Sequence, residues 1–416
     1  MLDTLRRPRG GGALLLGAGD GIEVRHLDPA RLGPDDLAAW QALHHGQSGV
    51  ATPFASPTWV LGWYRAFVPE DRSLLLWVTR RDRLVGVAPL HVQDVRVGGV
   101  RLASRAGLVG SGRTTPLELP PLLAAPGQAR AVVRAVARAV LRAGVTWGEL
   151  SLGRDVWLLD RDLATAAGTP VFARRQELRA CVVLPLAPTW DETRSALSRN
   201  VKESVRRARN RLAKDPREVA VRTLSGPGLD VAAVDRLLRL HRARSGYEGS
   251  ASQHHDAFAD PDVLAFTRDV VPRLALADEA CLVELDLDGV TVAAQLVLRP
   301  PGGIYFHSSG FRPAEWDLSP VTALQVDAMQ AAVARGDRWV NFSPGPNEAK
   351  LRWSDALEVH DEVAFGPAHG SGVARYGAFA LAKEARRLRH ERRLQAGAIE
   401  AGRARPSSPC GPAGRD

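Results

Sequence analysis

The chain has 416 residues, 45% of them hydrophobic, and a net charge of +9. That length allows roughly two to three domains of about 150 residues, and the apolar share is ordinary for a globular protein with real cores. The charge is concentrated in residues 194–214, with eight bases and one acid, and in residues 367–416, with ten bases and four acids; the body between is net acidic, which excludes a uniformly basic nucleic-acid binder.

Residues 1–21 read as a disordered leader: the start is basic and the apolar run ALLLGAG is too short for a signal segment. IEVRHLD (22–28) reads as a first strand. Residues 34–67 have a helical period broken at 52–58, where Ser56-Pro57-Thr58 supplies a capping hydroxyl and a proline before WVLGWYRAF. Trp59, Trp63 and Phe67 recur at spacing four and predict a packed stripe. Residues 74–92 predict strand, charged turn and strand, 98–109 a third strand, 127–143 a helix, 146–152 a strand and 179–186 another. One arginine-rich helix is expected over 191–214, with Leu197, Val201, Val205, Ala208 and Leu212 as its buried stripe. A strand at 217–224 and helices at 230–245 and 262–274 follow. The second half then repeats the plan: a hairpin at 280–300 turning on Asp288-Gly289, a third strand at 303–311, a helix at 319–335, and strands at 338–343 and 359–365. Beyond Gly372 the sequence predicts a solvated helix ending in a disordered Pro/Ser/Gly segment.

Two ten-residue stretches carry the same words. GVTWGELSLG (144–153) and GDRWVNFSPG (336–345) share Gly144/Gly336, Trp147/Trp339, Ser151/Ser343 and Gly153/Gly345 at one offset. Each follows an Ala/Val-rich helical stretch, so the chain reads as a tandem duplication. The shared residues are assigned to the scaffold. Only the second copy continues into NEAKLRW, with Lys350, Arg352 and Trp353, and that asymmetry places the chemistry after the second copy. Lysine is otherwise scarce, with only Lys202, Lys214 and Lys383 besides; the arginine, alanine, glycine and proline bias fits a GC-rich bacterial genome.

The order in each half is helices, antiparallel meander, helix, strand. This is an α+β (mixed α/β) class with two tandem domains, each a mostly antiparallel sheet flanked by helices. No G-x-G-x-x-G follows a strand and no G-x-x-x-x-G-K occurs, which excludes the dinucleotide and P-loop phosphate cradles. The expected divisions are a leader (1–21), a first domain (22–187), a second domain holding the reaction centre (188–366) and a basic helical or disordered tail (367–416). Cys181, Cys281 and Cys410 lack metal-ligand spacing; the first two read as buried strand thiols. His241 and the His254-His255 pair have no metal pattern, and no metal is expected. No apolar stretch approaches the ~20 residues of a membrane span, and a cytoplasmic location is expected.

Six segments carry a resemblance to a known family: Phe54-Ala-Ser-Pro-x-Trp59, Gly86-Val-Ala-Pro-Leu90, the helix from Leu197 to Leu212, Gly310-Phe311-x-Pro313, Leu318-Ser-Pro320, and Gly336 through Trp353. Jointly they resemble the tandem-GNAT acyltransferases, the group of Fem-type aminoacyl transferases and the cellulose-biosynthesis-like acetyltransferases. The resemblance implies an N-acyltransferase that moves acetyl from acetyl-CoA, as donor and not as a bound prosthetic group, to an amine of a sugar, peptide or small metabolite, a cell-envelope precursor included. The alternatives are a Fem-type enzyme that uses aminoacyl-tRNA and a non-catalytic GNAT-like scaffold. Val321 stands where the family often has glycine, Ala349 where it often has an aromatic, and Asn341 near a position where it commonly has an acid.

Acyl transfer to an amine needs a proton acceptor, donors for the oxyanion, and a proton for the leaving group. Lys350 matches the family's active-site lysine and is the first candidate. Tyr305 and His307 alternate on one face of a strand and are the other catalytic candidates. Ser319 and Thr322 flank a helix start whose free N–H groups suit a pyrophosphate and are candidates for holding the donor. Arg199, Lys202 and Arg206 off the helical stripe, with Asn341, Arg352 and Trp353, are candidates for holding substrate. Arg242 and Arg244 lie where a cleft residue is conceivable.

Overall fold

The computed structural model describes residues 14–19, 21–97, 99–111, 118–153, 170–245, 256, 258–368 and 370–403. The expected leader is only partly outside them. Leu14–Gly19 forms strand β1, which pairs antiparallel with β2, Ile22–Leu27. The apolar run is therefore an edge strand, paired along one side with β2.

The first half continues with α1 (Pro34–His45), α2 (Pro57–Phe67), β3 (Ser73–Arg80), β4 (Arg83–Val97), β5 (Val100–Leu108), the short β6 (Leu123–Ala124), α3 (Ala129–Arg142) and β7 (Trp147–Gly153). Ser56 caps α2 by accepting from Trp59 N. β8 (Val171–Pro185) leads to the arginine-rich region, which is two helices and not the single one expected: α4 (Trp190–Ala196) and α5 (Arg199–Ala213). The break has a local cause, because Ser198 turns extended and accepts from Val201 N as the cap of α5. The stripe Val201, Val205, Ala208 and Leu212 is buried.

The second half holds β9 (Val219–Leu224), α6 (Val231–Ser245), α7 (Pro261–Leu276), β10 (Ala280–Leu287), β11 (Val290–Leu298), β12 (Gly303–Phe311), α8 (Pro320–Ala334), β13 (Trp339–Pro344), the short α9 (Glu348–Leu351) and β14 (Leu357–Pro367). Asp288 and Gly289 turn the β10–β11 hairpin at φ 49° and 74°, the left-handed pair a two-residue hairpin requires. The tail forms helix α10 (Ser371–Arg403). It is not wholly solvated, since Tyr376 is buried and Phe379 packs on Trp147.

All described strands join one sheet, in the order β1-β2-β3-β4-β5-β7-β14-β8-β13-β12-β11-β10-β9, with β6 on β4. The duplication is visible in this order. In each half a meander ends on a parallel pair, β5 with β7 and β12 with β13. The strand beyond each pair comes from the other part of the chain: β14 lies against β7, and β8 lies against β13. β8 and β14 also pair with each other along 11 residue positions. The expected division at 187/188 therefore falls in sequence after a strand that completes the second half in space.

One core packs α3 on the first-half strands, and another packs α5 and α8 on the second-half strands. A third spans both halves, joining Trp40, Phe54 and Trp63 to Leu237, Phe266, Val270 and Tyr305. The layer of α1, α2, α6 and α7 thus holds the halves in fixed relation, and the site lies at its edge.

Candidate active site

β12 and β13 pair at only three positions, Gly303↔Trp339, Ile304↔Val340 and Tyr305↔Asn341. Beyond them β13 leaves its register with β8 between Asn341 and Pro344. Ser343 sits there at φ 66°, and Asn341 Oδ1 accepts from its N–H at 2.9 Å. Asn341, a substrate-holding candidate, is fully buried and serves this bend. The strands part, and a cavity of about 950 Å³ opens between them. Of the described non-glycine residues at positive φ, Arg81, Asp82, Asp278 and Asp288 occupy turns; the other two, Ser319 and Ser343, line this cavity. Backbone strain of that kind gathers where function needs it.

One bank carries Lys350. Asn347 caps α9 by accepting from Lys350 N, which turns the side chain back toward β13. Its Nζ donates to Pro344 O at 2.7 Å, Ser343 Oγ at 3.1 Å and Ser343 O at 3.3 Å. An ammonium has three donors, and all three hold the β13 bend. Burial lowers the Lys350 pKa below the ordinary lysine value, while the charges of Cys181 and Glu118 act in the opposite direction. Ser343, assigned to the scaffold by the repeat, is therefore a cavity residue; its counterpart Ser151 is buried in β7.

The other bank carries Tyr305 and His307. The Tyr305 hydroxyl donates to a carboxylate oxygen of Glu118. Burial, and then the Glu118 charge, push the tyrosine pKa well above its ordinary value, so it stays a donor. His307 Nε2 lies 3.7 Å from Glu118 Oε1, and its Nδ1 lies 2.7 Å from Ser308 Oγ. Glu118 comes from the first half, in LELPPLL after β5. Its sequence shows an isolated acid in a Leu/Pro loop and gives no signal of this role.

The start of α8 forms the mouth. Ser319 precedes Pro320 with no side-chain cap bond, and Thr322 Oγ1 lies 3.5 Å from Arg352 Nη2. The Arg352 guanidinium covers the ring of Trp353, which stacks on Phe342. Val321 and Ala349, the two departures from the family pattern, both line the cavity. Arg244, at the end of α6, also reaches it, donating to Ser309 Oγ at 2.7 Å and lying over Phe311. Arg242 points elsewhere, to Asp256. Phe54, Trp59 and Phe266 complete an aromatic wall contributed by both halves.

The structure thus brings together Lys350, His307, Ser319, Thr322, Arg352 and Trp353, with Tyr305 reaching the site through Glu118. Arg199, Lys202 and Arg206 are not among the lining residues. They sit on the exposed side of α5, where Lys202 donates to Ser195 O and Arg206 pairs with Glu203. The stripe of α5 is buried against the sheet, so its charged face turns away from the cavity. His254 and His255 lie outside the described residues.

The parting strands, the α8 start and Lys350 all fall within residues 199–351, which match the family model described as an acetyltransferase (GNAT) domain. The chain therefore carries, in its second half, a stretch that matches GNAT-type acyltransferase domains. As a whole its fold is similar to that of the solved structure of FemX, with a TM-score of 0.53 at 10% identity over 78% of this chain and 95% of that one. It is also similar to a conserved protein of unknown function from Bacteroides thetaiotaomicron VPI-5482, with a TM-score of 0.51 at 10% identity over 82% and 98% of the two chains. At these identities the likeness is one of fold alone. No curated protein matches the sequence.

Proposed function

We propose that the chain moves an acyl group, acetyl from acetyl-CoA, to the amine of a small metabolite, sugar or peptide, and that the chemistry takes place in the second half. The observation that carries this reading is the parted β12/β13 pair, with an ammonium on one bank and a tyrosine–carboxylate–histidine group on the other. In this reading the donor's pyrophosphate lies at the α8 start, where free N–H groups and Arg352 favour anions. Its thioester reaches the β13 bend. Glu118 with His307 takes the proton of the incoming amine. The amine nitrogen bonds to the thioester carbon, the C–S bond breaks, and CoA leaves as thiol with the proton that Glu118 and His307 took from the amine. The Lys350 charge stabilises the oxyanion between those events. Glu118 then supplies the acid that the family commonly has near Asn341, and this gives the first half a direct part in the reaction.

A second reading is favoured by the exposed bases of α5 together with the Fem-like fold: aminoacyl-tRNA as donor. Phosphate contacts release counterions, so this reading requires tRNA binding that falls steeply with salt. Among the described residues no helix is long and apolar enough to cross a membrane, and we place the reaction in the cytoplasm, with a soluble or cell-envelope-precursor acceptor. Calorimetry with acetyl-CoA and filter binding with charged tRNA separate the two donors. Failure of both would leave a non-catalytic scaffold and refute both donor readings. A mass-spectrometric screen of wild type against Lys350→Ala then names the product.

A further inference from the structure

The first-half helix α1 ends on His44 and His45, and Glu279 stands just before β10 in the second half. One ligand atom from each lies within 4.8 Å of the others. None of the three lines the catalytic cavity. His44 and Glu279 are 1% and 6% exposed. His44 Nε2 lies 3.1 Å from the carbonyl oxygen of Thr52. A carbonyl only accepts, so Nε2 carries the proton and Nδ1 presents a bare lone pair. Glu279 Oε1 accepts from Gln41 Nε2 at 2.8 Å, and the same amide lies 2.8 Å from His45 Nε2. Among the described residues His44 Nδ1 and Glu279 Oε2 have no hydrogen-bond partner. Two buried acceptors thus lie in one tight cluster without a geometric hydrogen-bond partner, with the Ser56 hydroxyl as the neighbouring donor that acts on the Glu279 carboxyl, and buried polar groups are rarely left so.

A cation would serve both acceptors and the exposed His45 at once. We propose that His44 Nδ1, His45 and Glu279 Oε2 bind one divalent transition ion of the zinc class. Two imidazoles and a carboxylate suit zinc and its neighbours, whereas calcium and magnesium take oxygen ligands. The Thr52 carbonyl on the far nitrogen of His44 is the outer support that metal-bound histidines usually have, fixing tautomer and ring angle. Three protein ligands leave a fourth position for water. The ion ties α1 to the start of β10 and so bridges the halves. Thr52 is also the cap that accepts from Phe54 N, and Phe54 packs on Tyr305 and lines the cavity. The tie therefore steadies one wall of the catalytic site. Sequence spacing did not reveal it, because the carboxylate is far along the chain from the histidines.

The test uses the full-length, untagged protein stripped with chelator, then titrated with Zn²⁺ alone by calorimetry and with Co²⁺ by visible absorption. The expected result is one ion per chain, a cobalt d–d band and a raised melting temperature. His45→Ala and Glu279→Gln should each weaken zinc by a hundredfold or more and abolish the band. His45 is exposed, so its removal leaves the apo fold intact, as near-ultraviolet dichroism of the stripped variant checks. Absence of stoichiometric zinc binding, or binding unchanged in both variants, overturns the proposal and leaves a proton or a water in the gap.

Discussion

Lys350→Met keeps the length and apolar stem of the side chain and removes only the ammonium. Three acceptors lose their donor: Pro344 O, Ser343 O and Ser343 Oγ. The hydroxyl is the least affected, since it also donates to Phe342 O at 2.5 Å. The two carbonyls are partly buried and lose a charged donor. A hydrogen bond to a charged group is worth about 1.5–3 kcal/mol net. The three bonds share one charge, and burial of that charge already opposes them, so the sum is not three times that value. A stability loss of about 1–3 kcal/mol is expected, or roughly 2 °C per kcal/mol or less in a chain this long. The effect on rate should be larger. Lys350 acts on the oxyanion through its charge, since its three N–H groups hold the bend; losing one preorganised oxyanion-stabilising group commonly costs about 10²–10³ in kcat, and here the bend that shapes the site goes with it. Burial lowers the Lys350 pKa, so the cation is lost on raising pH before the ordinary lysine value of 10.5 is reached, and wild-type activity should decline on that alkaline side. The assay is steady-state thiol release from acetyl-CoA across pH, alongside thermal melts. If kcat/KM is unchanged while the melting temperature drops, Lys350 is only a structural pin and the mechanism is refuted.

Gly310→Ala would set a Cβ 2.2 Å from His241 N and 2.4 Å from Leu240 C. These are backbone atoms of α6 and cannot swing aside, so about 3 kcal/mol of destabilisation is expected, read from urea midpoints; a neutral substitution would show that α6 is not seated on β12. Burial holds His91 down to about 3 and His360 to about 4. The unfolded chain binds those protons near the ordinary value of 6.5, so it takes up more protons than the folded chain below that pH, and stability falls. At pH 5 the loss is about 2 kcal/mol per histidine; burial holds His44 to about 4 as well, so His91→Gln should remove about a third of the sum for the three, and an unchanged acid slope in that variant would refute the assignment. Cutting the chain between 187 and 188 leaves β7 without β14 and β13 without β8, so residues 22–187 and 188–366 made separately should aggregate, and a folded monomer from either, seen by light scattering and dichroism, would count against the exchanged strands.

The elements were legible because their signals are local. Apolar runs bounded by turns marked β3 and β10, the Asp288-Gly289 turn fixed a hairpin, and the stripe of α5 named its buried face. The hydroxyl of Ser198 was the local sign that the arginine-rich helix breaks, and reading one long period across it concealed that break. The first-half and second-half parallel pairs follow from the repeated words around Trp147 and Trp339. Gly144 and Gly336 both turn at positive φ after their helices, as a repeated structural word should.

By itself, then, the sequence determined the α+β class, showed a plan repeated in the two halves, and pointed to the stretch from Ser319 to Trp353 as the place to look. The tertiary structure decided what meets there. Glu118 reaches Tyr305 across 187 positions of sequence, and Arg244 arrives at the end of a helix whose pattern shows only its buried face. It also decided which cations face the cavity and which, like Arg206 beside Glu203, face solvent. The physical reason is common to all of these. Periodicity and turn chemistry report how a residue relates to neighbours a few positions away. A catalytic group, a metal-binding trio or an exchanged strand depends on which distant segments the packed cores bring together.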